Sequence, residues 1–172
     1  MNETLRKALS WLRRRAENIL ALMLAVMFIA FIIQIAFRYL LNFPIGWTSE
    51  VTVIMWLWLV LWGAAFVVTE DEEIRFDLIY GAASPPTRRV MSAIAAAALL
   101  GLYLFSLPAV VDYVTFMKVQ ATAYLKIRFD HLYSIYVIFA LAAIGRYGWI
   151  LVGAIRGKPA AEHDPAKASS GV

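Results

Sequence analysis

Cysteine is missing from all 172 residues, which removes disulfides, thiol redox chemistry and thiolate metal sites together. A quinone-linked disulfide oxidase is therefore excluded. Histidine occurs twice, as His131 and His163. Haem held between helices needs paired axial ligands inside the spans, and both histidines lie outside every long apolar run. Charge is the third scarcity: residues 18–37, 51–68, 90–111 and 132–152 total 81 positions with one formal charge, Arg146. No Asp or Glu stands in 18–37, so a proton-coupled four-helix exporter, which needs a carboxylate deep in its first span, is excluded. A glutathione-using membrane enzyme would need clustered polar and basic groups at the helix ends. Arg75, Arg88 and Arg89 stand instead beside an acidic run. The broken spans and midplane polar groups of a stand-alone transporter are missing too.

What is present is apolar length. The chain is 62% hydrophobic and 16% charged with mean hydropathy +0.71, too apolar for a soluble domain of this size. At 1.5 Å rise per residue each run covers roughly 27 to 33 Å, the thickness of a bilayer hydrocarbon core. The expected fold is an all-α integral membrane protein with four transmembrane helices, preceded by a short N-terminal amphipathic helix. Of the 16 Lys and Arg, eleven precede the first span, separate the second from the third, or follow the fourth; four occupy the other two connections. By the positive-inside rule both termini and the central loop are cytoplasmic. The basic residues thus read as topology signals, with no nucleic-acid partner.

Residues 1–17 read as a cytoplasmic amphipathic segment. Leu5, Ala8, Leu9 and Leu12 recur at helical spacing, Arg6, Lys7, Arg13 and Arg14 fall on other faces, and Trp11 suits headgroup depth. A short surface helix and a continuous helix running into the first span are both compatible with this pattern. Cleavage as a signal peptide is not expected, because the apolar stretch is long and ends in Phe37-Arg38-Tyr39 without small residues. Residues 18–156 form the membrane domain, and 157–172, rich in Ala, Pro, Ser and charge, form a disordered cytoplasmic tail.

The connections differ in kind. Residues 39–50 form a short turn with Asn42, Pro44 and Gly46 as breakers; Thr48 or Ser49 can cap the second helix, and Glu50 suits its positive end. Residues 69–89 are acidic, then Pro-rich, with apolar positions that would lie against the membrane or a partner. Residues 112–131 mix aromatics with isolated charges and read as interfacial helix. Inside the spans, Gln34 requires interfacial water or an interhelical hydrogen bond. Ala93, Ala97 and Gly101 form a small-residue row that would admit a close helix. Pro108 would kink the third span or mark its end. Trp56, Trp58 and Trp62 read as lipid-facing or packing aromatics. Arg146 lies about 9 Å from the end of its run at Val152, close enough to snorkel, or it pairs with a partner's carboxylate.

Gln34-Ile35-Ala36-Phe37-Arg38-Tyr39, then Pro44, Trp47 and Glu50, then Trp58 through Gly63-Ala64-Ala65, resemble the DctQ-like small membrane subunit of tripartite ATP-independent periplasmic (TRAP) transporters. Ile74-Arg75-Phe76-Asp77-Leu78 and Pro85 with Arg88 extend the resemblance over roughly residues 17 to 156. Departures are Ser49 before Glu50 where the family often has two adjacent acids, Glu73 where a histidine is common, and no Pro before the fourth span.

The resemblance implies a multi-pass subunit of the bacterial inner membrane without catalysis or cofactor. Its partners would be a large multi-span TRAP subunit, a periplasmic substrate-binding protein and membrane lipids. The function implied is scaffolding for sodium-coupled import of organic acids. Structural or partner-interface roles are expected for Gln34, Arg38, Trp47, Glu50, Arg75, Asp77 and Arg146. Arg38 and Glu50 would pair across the outer hairpin, Trp47 would anchor it, and Arg75 and Asp77 would face the large subunit from the cytoplasm. Two other readings stay open: the small subunit of a tripartite tricarboxylate transporter, and a self-contained homo-oligomeric channel or exporter.

Overall fold

The computed structural model describes residues 3–43, 45–68 and 84–156. Its helices are α1 (Glu3–Tyr39), α2 (Trp47–Trp62), α3 (Pro85–Phe116) and α4 (Phe129–Ile155). A π-helical turn, Gly63–Val67, continues α2, and a 3-10 turn, Met117–Val119, follows α3. Among the described residues, four helical stretches are long and apolar enough to cross a membrane. The second of these stretches includes the π turn and ends at Val67.

Three expectations need correction. The backbone of α1 is helical without interruption from Glu3, so no separate N-terminal helix precedes the first span. At 37 residues, α1 measures about 55 Å, well beyond the roughly 30 Å of hydrocarbon it has to cross. Leu5, Ala8 and Leu9 of the amphipathic pattern, and the tail 157–172, lie outside the described side chains and residues. Secondly, α2 begins at Trp47, with Gly46 at its N-cap and no side-chain cap bond. The Thr48 and Ser49 hydroxyls instead donate backwards to the carbonyls of Ile45 (3.1 Å) and Gly46 (2.7 Å). Thirdly, 112–131 is not one interfacial helix. The chain leaves helix after Val119 and returns in a narrow loop whose residues Ala121 and Arg128 pair as an antiparallel bridge. Pro108 does not end α3, which continues for two further turns to Phe116.

The chain divides into two compact units. The first comprises Met1–Val67 and Leu107–Ala142, the second Val68–Ser106 and Ala143–Val172.

In the first unit α1 and α2 form an antiparallel hairpin. The less exposed positions of α1, Ala16, Leu20, Met23, Met27 and Ala30, recur at alternating spacings of four and three, the narrow seam of two packed helices. Outside this seam Leu22, Phe28, Ile29, Phe31 and Ile32 are exposed, the surface expected where lipid is the solvent. Gly63 is the close approach: a Cβ there would stand 2.9 Å from Leu20 Cδ1. Ile135 of α4 and Thr48 of α2 are fully buried, and Tyr113, Phe129, Tyr133 and Tyr136 form a chain of tilted rings between α3 and α4.

In the second unit the start of α3 meets the end of α4, and Tyr103 stacks on Tyr147 at 6.1 Å and 10°. Ala96 and Ala143 are buried. The row Ala93, Ala97 and Gly101 makes no close approach: Ala97 and Gly101 are exposed, and a Cβ at Gly101 would meet nothing within 4 Å. Small residues do dominate what is buried across both units, with Ala16, Ala30, Ala65, Ala96, Ala140 and Ala143 among them. That is how membrane helices pack when hydrophobicity cannot drive association.

Candidate functional site

Polar structure in this molecule gathers at helix ends. In the first unit Glu50, in the opening turn of α2, projects its carboxylate onto the loop 120–128. One oxygen accepts from the Tyr124 amide and the other from the Leu125 amide, both at 2.9 Å. Successive backbone N–H groups of a tight turn make a natural carboxylate cradle. The loop is shaped to offer them. Thr122 donates its amide to Ile127 O (2.9 Å) and accepts the Ile127 amide on its hydroxyl (3.1 Å). Lys126 takes φ 56 to close the turn, and Phe129 N–H returns to Gln120 O at 3.0 Å. Such side-chain bonds compete with helix, which is why the aromatic-rich segment did not stay helical. Gly46 lies against the Tyr124 ring so closely that any Cβ at 46 would overlap it. Asp130, at the start of α4, is occupied separately by Arg128 (2.5 Å) and the His131 amide (2.9 Å).

Glu50 therefore does not pair with Arg38, since both of its oxygens are held by backbone 74 and 75 residues away. Arg38 sits in the last turn of α1, its guanidinium 5.8 Å from the Tyr39 ring centroid. With Gln34, Asn42 and Ile45 it lines a cleft of about 290 Å³. Asn42 is in the left-handed region at φ 48, which asparagine tolerates better than most residues. This lets the chain turn back over the end of α1.

Between the ends, two tryptophans tie helices together. Trp58 donates its indole N–H to Leu132 O at 3.0 Å, and Trp62 donates to Ala16 O at 3.2 Å. Interhelical bonds of this kind average about 0.6 kcal/mol in membranes, so they fix register more than they stabilise. Trp56 is exposed, as a lipid-facing aromatic would be.

In the second unit Arg89, in the first turns of α3, caps the end of α4. Its Nε donates to Ala154 O and its Nη2 to Ile155 O, the latter at 2.9 Å. The last carbonyls of a helix lack intrahelical partners and carry the negative end of its dipole, so a guanidinium suits them on both counts. A backbone acceptor leaves no mark in sequence. Arg89 consequently reads there only as a topology charge.

Of the residues singled out in the sequence, Gln34 and Arg38 come together at the cleft and Glu50 joins the loop. Trp47 opens α2 and is 40% exposed. Arg146 is half-buried in α4 and engaged in a contact. Arg75, Asp77 and Pro44 lie outside the described residues. The contacts of Gly46, Thr122, Tyr124 and Arg89 emerge only from the structure.

A family model described as the DctQ component of tripartite ATP-independent periplasmic transporters matches residues 27–157, about three quarters of the chain. The chain belongs to this family. A DctQ component is the small inner-membrane part of a transport system whose other members are a large membrane component and a periplasmic binding protein. The match also decides between the two tripartite systems that the sequence left open, in favour of the TRAP type. Comparison with individually curated proteins gives no match.

Proposed function

We propose that this DctQ component is a non-catalytic scaffold. It holds the large membrane component in place and helps to seat the binding protein, in a sodium-coupled importer of organic acids. The observation that carries this reading is the division between span and end. The four apolar runs hold one formal charge in 81 residues, whereas the bonds of Glu50, Asp130 and Arg89 lie in the first or last turns of their helices. Spans of this kind suit packing against lipid and partner helices, and coupling chemistry then belongs to the large component. Gln34, Arg38, Trp47 and Glu50 take the outer-end role in this reading, Arg75 and Asp77 face the large component from the cytoplasm, and Arg146 contacts it within the membrane.

Purified components in lipid vesicles test the scaffold. With an inward sodium gradient and the organic acid that co-purifies on the binding protein, uptake is expected only with the large component present, and it should rise when this chain is added. Uptake by this chain alone would overturn the reading.

The basic residues support cytoplasmic termini, with the first turns of α1 extending beyond the hydrocarbon into the headgroup region on that side. Trp11 and Leu12 are both 56% exposed and available to lipid there. The cysteine-free background makes this easy to measure. In intact spheroplasts an impermeant maleimide should label Lys126→Cys and spare Asn2→Cys and Ser170→Cys; the opposite pattern would invert the topology.

A further inference from the structure

The cleft at the end of α1 is built for an anion that has apolar neighbours. Gln34 and Arg38 are one turn apart on one helix face, roughly 5–6 Å between Cβ atoms, and Asn42 and Ile45 close the other side. Arg38 makes no ion pair among the described residues. The acid that sequence position would offer it, Glu50, is spent on two backbone amides, and Asp130 is held by Arg128. The cleft thus carries an uncompensated guanidinium beside two carboxamides. Its volume, about 290 Å³, is at the lower limit for small-molecule sites, room for a headgroup and not for a whole lipid.

The surroundings are apolar. Phe31 and Ile35 on the same helix and Leu41 and Phe43 after it are exposed. Phe31 and Ile35 carry this apolar surface up to the level of Arg38, where a span that starts near residue 18 reaches the headgroup region.

We propose that this cleft binds the phosphodiester of a membrane phospholipid. Arg38 holds the phosphate oxygens, the Asn42 and Gln34 carboxamides donate to the phosphate and glycerol-ester oxygens, and the acyl chains run down past Ile35 and Phe31. Arginine suits the task because its planar fork matches two phosphate oxygens at once, and basic pockets at helix ends are where headgroups are held. A lipid seated here would be a fixed part of the subunit, filling the angle between the end of α1 and the turn that follows.

Native mass spectrometry of the full chain released from detergent tests this with three probes: phosphatidylglycerol, diacylglycerol with the same chains, and glycerol 3-phosphate. Only phosphatidylglycerol is expected to be retained. Arg38→Gln should weaken its retention about tenfold, Arg38→Lys less, and Gln34→Leu severalfold, while the lipid-free Tm of each variant stays at the wild-type value. Equal retention of glycerol 3-phosphate would make this a free-anion site and overturn the lipid assignment. Unchanged retention in both Arg38→Gln and Gln34→Leu would overturn it too. If Arg38→Gln kept the lipid but no longer co-purified with the large membrane component, the cleft would belong to a partner's carboxylate and the proposal would be wrong.

Discussion

Replacing Glu50 by alanine is expected to release the loop 120–128 and to reduce co-purification with the large membrane component. Among the described residues the carboxylate is the only side chain that bridges the start of α2 to the amides of Tyr124 and Leu125, and alanine leaves both amides to water. Hydrogen exchange at these two amides should accelerate roughly tenfold or more, because their protection would then depend on the loop's own few bonds. Glu50→Gln should fall between. A carboxamide has one acceptor oxygen, and its NH₂ would face an amide N–H, donor against donor. Exchange unchanged in Glu50→Ala would remove the latch. The same geometry sets the outcome for Arg38: the losses in Arg38→Ala and Glu50→Ala should add in the double variant, since the two side chains share no partner.

The spans could be placed from the sequence because lipid imposes a demand that sequence meets openly, some twenty consecutive apolar residues per crossing. Three of the four long runs lie within single helices, and the second lies on α2 and its π turn as far as Val67. Arg38 and Glu50 could be singled out for a related reason: charged residues beside a span stand out against it. Their partners could not be found. The Arg38–Glu50 pairing rested on two opposite charges bracketing one hairpin, but Glu50 is satisfied by peptide N–H groups 74 and 75 residues on, and every non-proline residue carries an identical donor. The indole bonds of Trp58 and Trp62 to backbone carbonyls were hidden in the same way. The loop 120–128 lies in a segment whose aromatic content and isolated charges read as interfacial helix. The decisive bond is the Thr122 hydroxyl to the Ile127 amide, a local alternative to helix that hydrophobic periodicity does not register.

Arg89→Ala is expected to be the most destabilising single change in the second unit. It removes two charge-assisted hydrogen bonds, from Nε and Nη2 to the carbonyls of Ala154 and Ile155, and leaves those carbonyls, the negative end of the α4 dipole, unopposed. Hydrogen bonds to a charged group are worth about 1.5–3 kcal/mol each when well shielded. Arg89 is part-exposed, so a loss on the order of 2 kcal/mol for the pair is the reasonable figure, and a Tm lower by roughly 4–8 °C follows for a chain of this length. Arg89→Lys should recover part of the loss: an ammonium keeps the charge at the helix end but lacks the fork that reaches two successive carbonyls. Because Arg89 is also one of the basic residues that set orientation, Arg14→Ala is the control. It removes a positive charge from the same side of the membrane under the proposed topology, and among the described residues Arg14 makes no bond to a helix end. A Tm drop confined to the Arg89 variants, together with faster exchange in the last turn of α4, identifies the cap. Equal behaviour of Arg14→Ala and Arg89→Ala would reduce Arg89 to a topology charge.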